Sequence, residues 1–151
     1  MNKKQLFSMG ELVPLMRESL EKGQSVHFSP KGVSMLPMLR EDLDSVVLSP
    51  IEGKLKKYDL PLYERESGKY ILHRIVEVVD GYTCMGDNQF VKESGLSHDQ
   101  MIAVVTGFYR GDKFHSVEEP AYKLYCRAWY HSRHIRRFIF RVVRKLKRCI
   151  Q

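Results

Sequence analysis

From Gln24 onward the chain is cut by Gly, Pro, Asp and Asn, at intervals of roughly 8 to 15 residues, into short runs rich in Val, Ile, Tyr and Phe. The runs are QSVHFS, DSVVLSP, DLPLYER, KYILHRIVEVV, GYTCMG and MIAVVTGFYRG. Pieces this short leave little room for helices, and β-branched and aromatic side chains suit a pleated, half-buried surface. The spacing predicts an antiparallel β domain of about six to eight strands. Ser67-Gly68 and Asp80-Gly81 read as hairpin turns, because glycine accepts the positive φ that tight hairpins need. The stretch GDNQFVKESGLSHDQ is too polar for a strand and reads as a long loop, a place where function often resides.

Helical patterns flank this β region. In MGELVPLMRESLEK, Leu12, Leu15, Met16, Ser19 and Leu20 fall at helical spacing, Pro14 puts the start near residue 13, and Gly23 is the stop. After Glu118-Glu119-Pro120 the chain reads as a helix broken near His131 to Arg133. Its residues Ile135, Phe138, Ile139, Val142, Val143, Leu146, Cys149 and Ile150 share an arc of about 140°. Phe140 is the exception to that arc. Three segments result: residues 1–23, an N-terminal helical segment; 24–118, the β domain; and 119–151, a basic amphipathic helix. The fold class expected is mainly β (α+β).

Charge is distributed as unevenly as structure. The net charge of +7 arises because residues 121–151 carry ten Lys or Arg and no Asp or Glu, leaving the first 120 with fifteen basic and eighteen acidic residues. A basic tail calls for an anionic partner, either a membrane surface or nucleic acid. No nucleic-acid motif accompanies the stripe, so a nucleic-acid partner is not expected. Trp129, Arg136, Arg137, Arg141 and Arg144 are the candidate membrane-binding residues, on the pattern of a helix lying in an interface. A helix packed on the β domain with a solvated outer face is the alternative.

Three cysteines without C-x-x-C spacing suggest neither a disulfide framework nor a zinc site, and fit a reducing compartment. Glu11, Arg17 and Glu18 interrupt any signal-peptide core, and no apolar run reaches the roughly 18 residues of a spanning helix. The expected location is cytoplasmic or peripheral to a membrane. No P-loop and no H-E-x-x-H is present, and no cofactor or metal is expected.

Three polar residues stand in apolar surroundings: Ser34 in GVSMLPML, His73 in YILHRIVEV and Asp87 in MGDNQ. A serine hydroxyl becomes a nucleophile near neutral pH when a base such as imidazole removes its proton. Separately, each residue has an ordinary reading: a turn serine before a proline, a core histidine, and an aspartate organising its own loop.

GVSMLPML resembles the S-M-x-P box of the type I signal peptidase and LexA-like protease superfamily. LHRIVEV looks like its second box, and GDN followed by an acidic loop looks like its third, the likeness covering residues 24–111 in order. Bacterial signal peptidases and LexA-like proteins carry lysine at the second box. His73-Arg74-Ile75 instead resembles the histidine branch, that of endoplasmic-reticulum and archaeal signal peptidases.

The resemblance implies a signal-peptidase-like complex β fold and a serine endopeptidase acting on exposed segments such as leader or precursor peptides. Ser34 would be the nucleophile and its backbone N–H an oxyanion donor, with His73 the general base. The orienting acid is divided between Glu93, which matches the histidine-branch position, and Asp87, with Asp99 a weaker candidate. Met35, Leu36 and Met38 would line a substrate pocket, or else belong to the core. Many signal peptidases add a serine hydroxyl two residues before the nucleophile, where this chain has Gly32. The spanning helix that precedes the serine box in signal peptidases has no counterpart in the sequence, which points to peripheral attachment. The alternative function is a non-catalytic module of the same fold, binding membrane or nucleic acid through its C-terminal helix.

Overall fold

The computed structural model describes residues 8–149. Among them, nine strands form two antiparallel sheets, with one helix before the strands and two after. The larger sheet runs in the order β1 (Val26–Phe28), β2 (Asp44–Ser49), β8 (Met101–Arg110), β3 (Pro61–Glu64), β4 (Tyr70–Leu72), and β9 (Lys113–Ser116) also pairs with β8. The smaller one runs β5 (Arg74–Val78), β6 (Tyr82–Met85), β7 (Glu93–Leu96). The α+β, mainly β architecture is thus the one the spacing predicts.

The long strand β8 is the spine of the larger sheet. It pairs with β2 along one edge, and along the other with β3 and then β9. In β2 the side chains alternate, with Asp44, Val46 and Leu48 buried, as a strand with one covered face requires. Beneath that face α1 (Met9–Glu21) contributes Val13, Met16 and Leu20, and α2 (Pro120–His131) contributes Tyr122 and Cys126, all to one core with Leu48, Leu62 and Phe108. A second core of Tyr63, Ile75, Tyr82, Cys84 and Leu96 lies at the smaller sheet.

Three details depart from expectation. The helix α1 starts at Met9 rather than near residue 13, because Glu11 accepts hydrogen bonds from both the backbone N–H and the hydroxyl of Ser8 at 2.8 Å. That cap and the buried face hold the helix although Pro14, inside it, has no N–H to give. Leu15 lies on the solvent side, and Val13 takes its place in the buried stripe. Lastly, the polar loop contains strand β7, of which only Leu96 is fully buried.

His73 divides what reads as one continuous β run. It stands between Leu72, the end of β4 in the larger sheet, and Arg74, the start of β5 in the smaller, so the chain passes between sheets at this residue.

Truncating fully buried Leu48 to alanine is expected to cost about 3 kcal/mol in urea denaturation. Leu15→Ala, on the exposed side of α1, is expected to stay within about 0.5 kcal/mol of the parent.

Candidate active site

Residues 32–39 form a chain of turns. Leu36 N–H donates to Val33 O at 3.2 Å, and Leu39 N–H donates to Met35 O at 3.0 Å. Met35, Met38 and Leu39 are buried in the main core and pin the segment, leaving Ser34 half-buried at its crest. The GDN stretch clamps it from the other side: Asn88 N–H donates to Ser34 O at 2.9 Å, and Asn88 Nδ2 donates to Val33 O at 3.1 Å. A Cβ on Gly86 would lie 2.6 Å from Ser34 O, so the approach requires glycine.

Ser34 and His73 line one pocket of about 100 Å³, together with Met35, Leu39, Tyr70 and Leu72. Their side chains are not hydrogen-bonded to one another. No described group hydrogen-bonds the imidazole. Because no side-chain nitrogen or oxygen among the described residues is both sealed and unpartnered, the ring nitrogens of His73 must reach the pocket or solvent. The Ser34 N–H is likewise free of any acceptor among the described residues. Burial, and next the charge of Arg65, push His73 down to about 4. At neutral pH it is an uncharged imidazole, able to accept a proton.

The candidate acids are placed differently from one another. Glu93 accepts from Tyr63 Oη at 2.7 Å and from Arg65 Nε and Nη2 at 2.8 and 2.7 Å. Those bonds, Arg65's first, hold its carboxyl below the usual carboxylate range. It makes no hydrogen bond to His73. It stabilises the charged form of His73 through space, while the Tyr63 ring stands edge-on to the imidazole at 6.4 Å.

Asp87 is wholly committed elsewhere. Arg74 Nε donates to its Oδ1 and Arg74 Nη2 to its Oδ2, both at 2.8 Å, and Tyr125 Oη donates to Oδ2 at 2.9 Å. Both members of the ion pair are buried. Arg74 also donates to Tyr58 O, Tyr122 Oη, Cys126 Sγ and Met38 Sδ. This geometry gives Asp87 the loop-organising role. Asp99 lines a separate cleft with Arg17 and Ile51.

Of the apolar trio, Met35 is in the pocket, whereas Leu36 and Met38 do not line it and Met38 packs on Arg74. Arg65, Tyr63 and Asn88 were not singled out in the sequence. Asn88 carried a signal, as the last residue of GDN, but Arg65 sits in a hairpin with nothing to mark it.

The C-terminal helix breaks at Ser132 into α2 and α3 (Arg133–Cys149). Trp129 Nε1 donates to Asp87 O at 2.7 Å, and Arg136 donates to the same carbonyl at 3.3 Å while its guanidinium lies 3.7 Å over the Trp129 ring. Both are therefore turned onto the domain. Arg137, Arg141 and Arg144 point into solvent.

A scan against protein-family models, a search of curated proteins and a search of solved structures each return no match. Among the described residues no helix is long and apolar enough to cross a membrane, and no group of three or more His, Cys, Asp or Glu could hold a metal ion.

Because the folded pKa of His73 lies below its unfolded value of about 6.5, the unfolded chain binds the extra proton between pH 4 and 6.5, and stability rises with pH across that window. Urea denaturation should show this gain, of order 3 kcal/mol, in the parent and its loss in His73→Gln. Removing the partner of a buried arginine is costlier than removing a surface acid. Asp87→Ala is expected to lose roughly 3 to 5 kcal/mol, and Asp99→Ala less than about 0.5 kcal/mol.

Proposed function

We propose that this protein is a serine endopeptidase in which Ser34 is the nucleophile and His73 the general base. The observation that carries the reading is the meeting of a half-buried hydroxyl and a neutral, unpartnered imidazole in one pocket, from segments far apart in the chain. The likeness of GVSMLPML, LHRIVEV and GDN to the signal-peptidase boxes supports it from the side of sequence.

The chemistry follows from the placement. Ser34 Oγ gives its proton to His73 and attacks a peptide carbonyl carbon, whose oxygen becomes an oxyanion received by the free Ser34 N–H. Collapse breaks the C–N bond, and the leaving amine takes the proton from His73. Water, deprotonated by His73, then hydrolyses the acyl-serine ester and restores the hydroxyl. The imidazolium formed on the way is stabilised by the charges of Glu93 and Asp87 and opposed by that of Arg65, so Glu93 acts through space on the charge of the ring and not on its orientation. Burial lowers the basicity of the resting imidazole, and the through-space carboxylates offset part of that penalty once the proton arrives.

An extended peptide suits the surroundings. Among the described residues β4 pairs only with β3, so its other edge carries no strand partner beside the pocket that Tyr70 and Leu72 help to line. An unpaired strand edge offers backbone donors and acceptors to a substrate segment. Small residues before the scissile bond fit a pocket of about 100 Å³.

A non-catalytic module of the same fold would share the exposed α3 but would leave Ser34 inert to a fluorophosphonate probe. The peptidase reading expects Ser34 to be labelled. Ser34→Ala should abolish cleavage of a leader-like peptide while keeping the melting temperature within about 2 °C of the parent. In the parent, kcat/KM should fall on the acid side near pH 4, where His73 takes up its proton, rather than near pH 6.5. Cleavage by Ser34→Ala at the parent's rate would end the mechanism.

A further inference from the structure

We propose that α3 docks flat on the surface of an anionic lipid bilayer through the face bearing Phe138, Ile139, Val142 and Leu146. The proposal does not depend on catalysis at Ser34.

It begins with what α3 does not do. Its Phe138, Ile139 and Leu146 are 67%, 53% and 57% exposed, so nothing among the described residues covers the apolar arc. The helix is held to the domain by a different face. Arg136 bonds to Asp87 O and lies 5.8 Å from the Phe90 ring, and Phe140, one turn on, meets the same ring at 5.9 Å. Phe140 is the residue outside the apolar arc, and it is the one used for packing. The arc itself is thereby turned away from the core and held there, because Trp129 and Arg136 both bond to the Asp87 carbonyl.

The charges select the occupant. Arg137, Arg141, Arg144, Lys145 and Lys147 have no carboxylate partner among the described residues, and residues 121–151 contain no Asp or Glu. A second copy of the chain would bring the same unopposed cations against these, which is repulsive. Nucleic acid would satisfy the cations and leave Phe138, Ile139 and Leu146 in water. An anionic bilayer satisfies both halves, since acyl chains receive the apolar arc and headgroups receive the arginines and lysines, whose long stems reach back to that level.

The docked helix would also orient the rest of the molecule. The bond that fixes its first turn ends on Asp87, and the flanking Gly86 and Asn88 touch Ser34, so the pocket is held at a set attitude to the lipid plane.

The test is sedimentation of the full chain with vesicles of phosphatidylcholine alone or mixed with phosphatidylglycerol. Mixed vesicles should bind at least about tenfold more tightly than neutral ones, and Ile139→Asp should lower that binding by about tenfold or more. Ile139→Gln, a neutral and helix-tolerant change, should lower it in the same direction, with the melting temperature kept in both because the side chain is exposed. Three results would overturn the proposal. One is vesicle binding that is absent or indifferent to Ile139→Asp. Another is self-association in velocity sedimentation that Ile139→Asp removes. The third is salt-dependent binding of duplex DNA in place of vesicles. Each of these readouts stands whether or not the protein cleaves peptides.

Discussion

A guanidinium and a carboxylate sealed inside a protein must satisfy one another almost completely, because each is expensive to remove from water. Arg74 and Asp87 meet that condition with two bonds of 2.8 Å between them. The remaining donors of Arg74 go to Tyr58, Tyr122, Cys126 and Met38, and a further lone pair of Asp87 goes to Tyr125. The pair thus joins β5, the GDN stretch, the serine segment and α2 in one network. Each of these elements has its own reason to form, but their relative placement is set here. A directional, fully satisfied polar network fixes one arrangement more stringently than apolar packing does.

The candidate site inherits its geometry from that network. His73 is the neighbour of Arg74 in sequence, and Gly86 and Asn88, flanking Asp87, touch the backbone at Ser34. Neither the hydroxyl nor the imidazole is therefore positioned by contact with the other. Each is placed by its neighbour's bond to a common centre, and both are left with unspent hydrogen-bonding capacity facing the pocket. Glu93 belongs to a second, shallower arrangement with Arg65 and Tyr63, which conditions the electrostatics of the imidazole without touching it.

Much of this was legible in the residues and part was not, for identifiable reasons. The strands with a covered face were visible because alternation or apolar runs betray them, as in β2 and β8. Strand β7 was hidden because Glu93, Ser94 and Gly95 carry polar or no side chains and only Leu96 is buried. Pro14 misled about α1 because a local breaker was outweighed by a cap and by core burial. The serine, histidine and GDN segments were visible as polar residues in apolar surroundings. That Asp87 would be consumed by Arg74 was not, since a carboxylate's partner is chosen by the fold. The amphipathic arc of α3 was apparent by counting, and its one irregular residue, Phe140, proved to be where the helix meets the domain.

The passage of the chain from one sheet to the other at His73 has an evolutionary corollary. Inward and outward faces alternate along a regular strand, so inserting or deleting a single position in β4, whose ladder to β3 has no irregularity, would invert it relative to its fixed neighbour, whereas β5 already absorbs one register shift between Ile75 and Glu77. The regular ladder of β4 thereby holds the place of the imidazole from one side. Descendants of this sequence can lengthen the hairpin before β4, but the spacing from that strand to the imidazole has no slack.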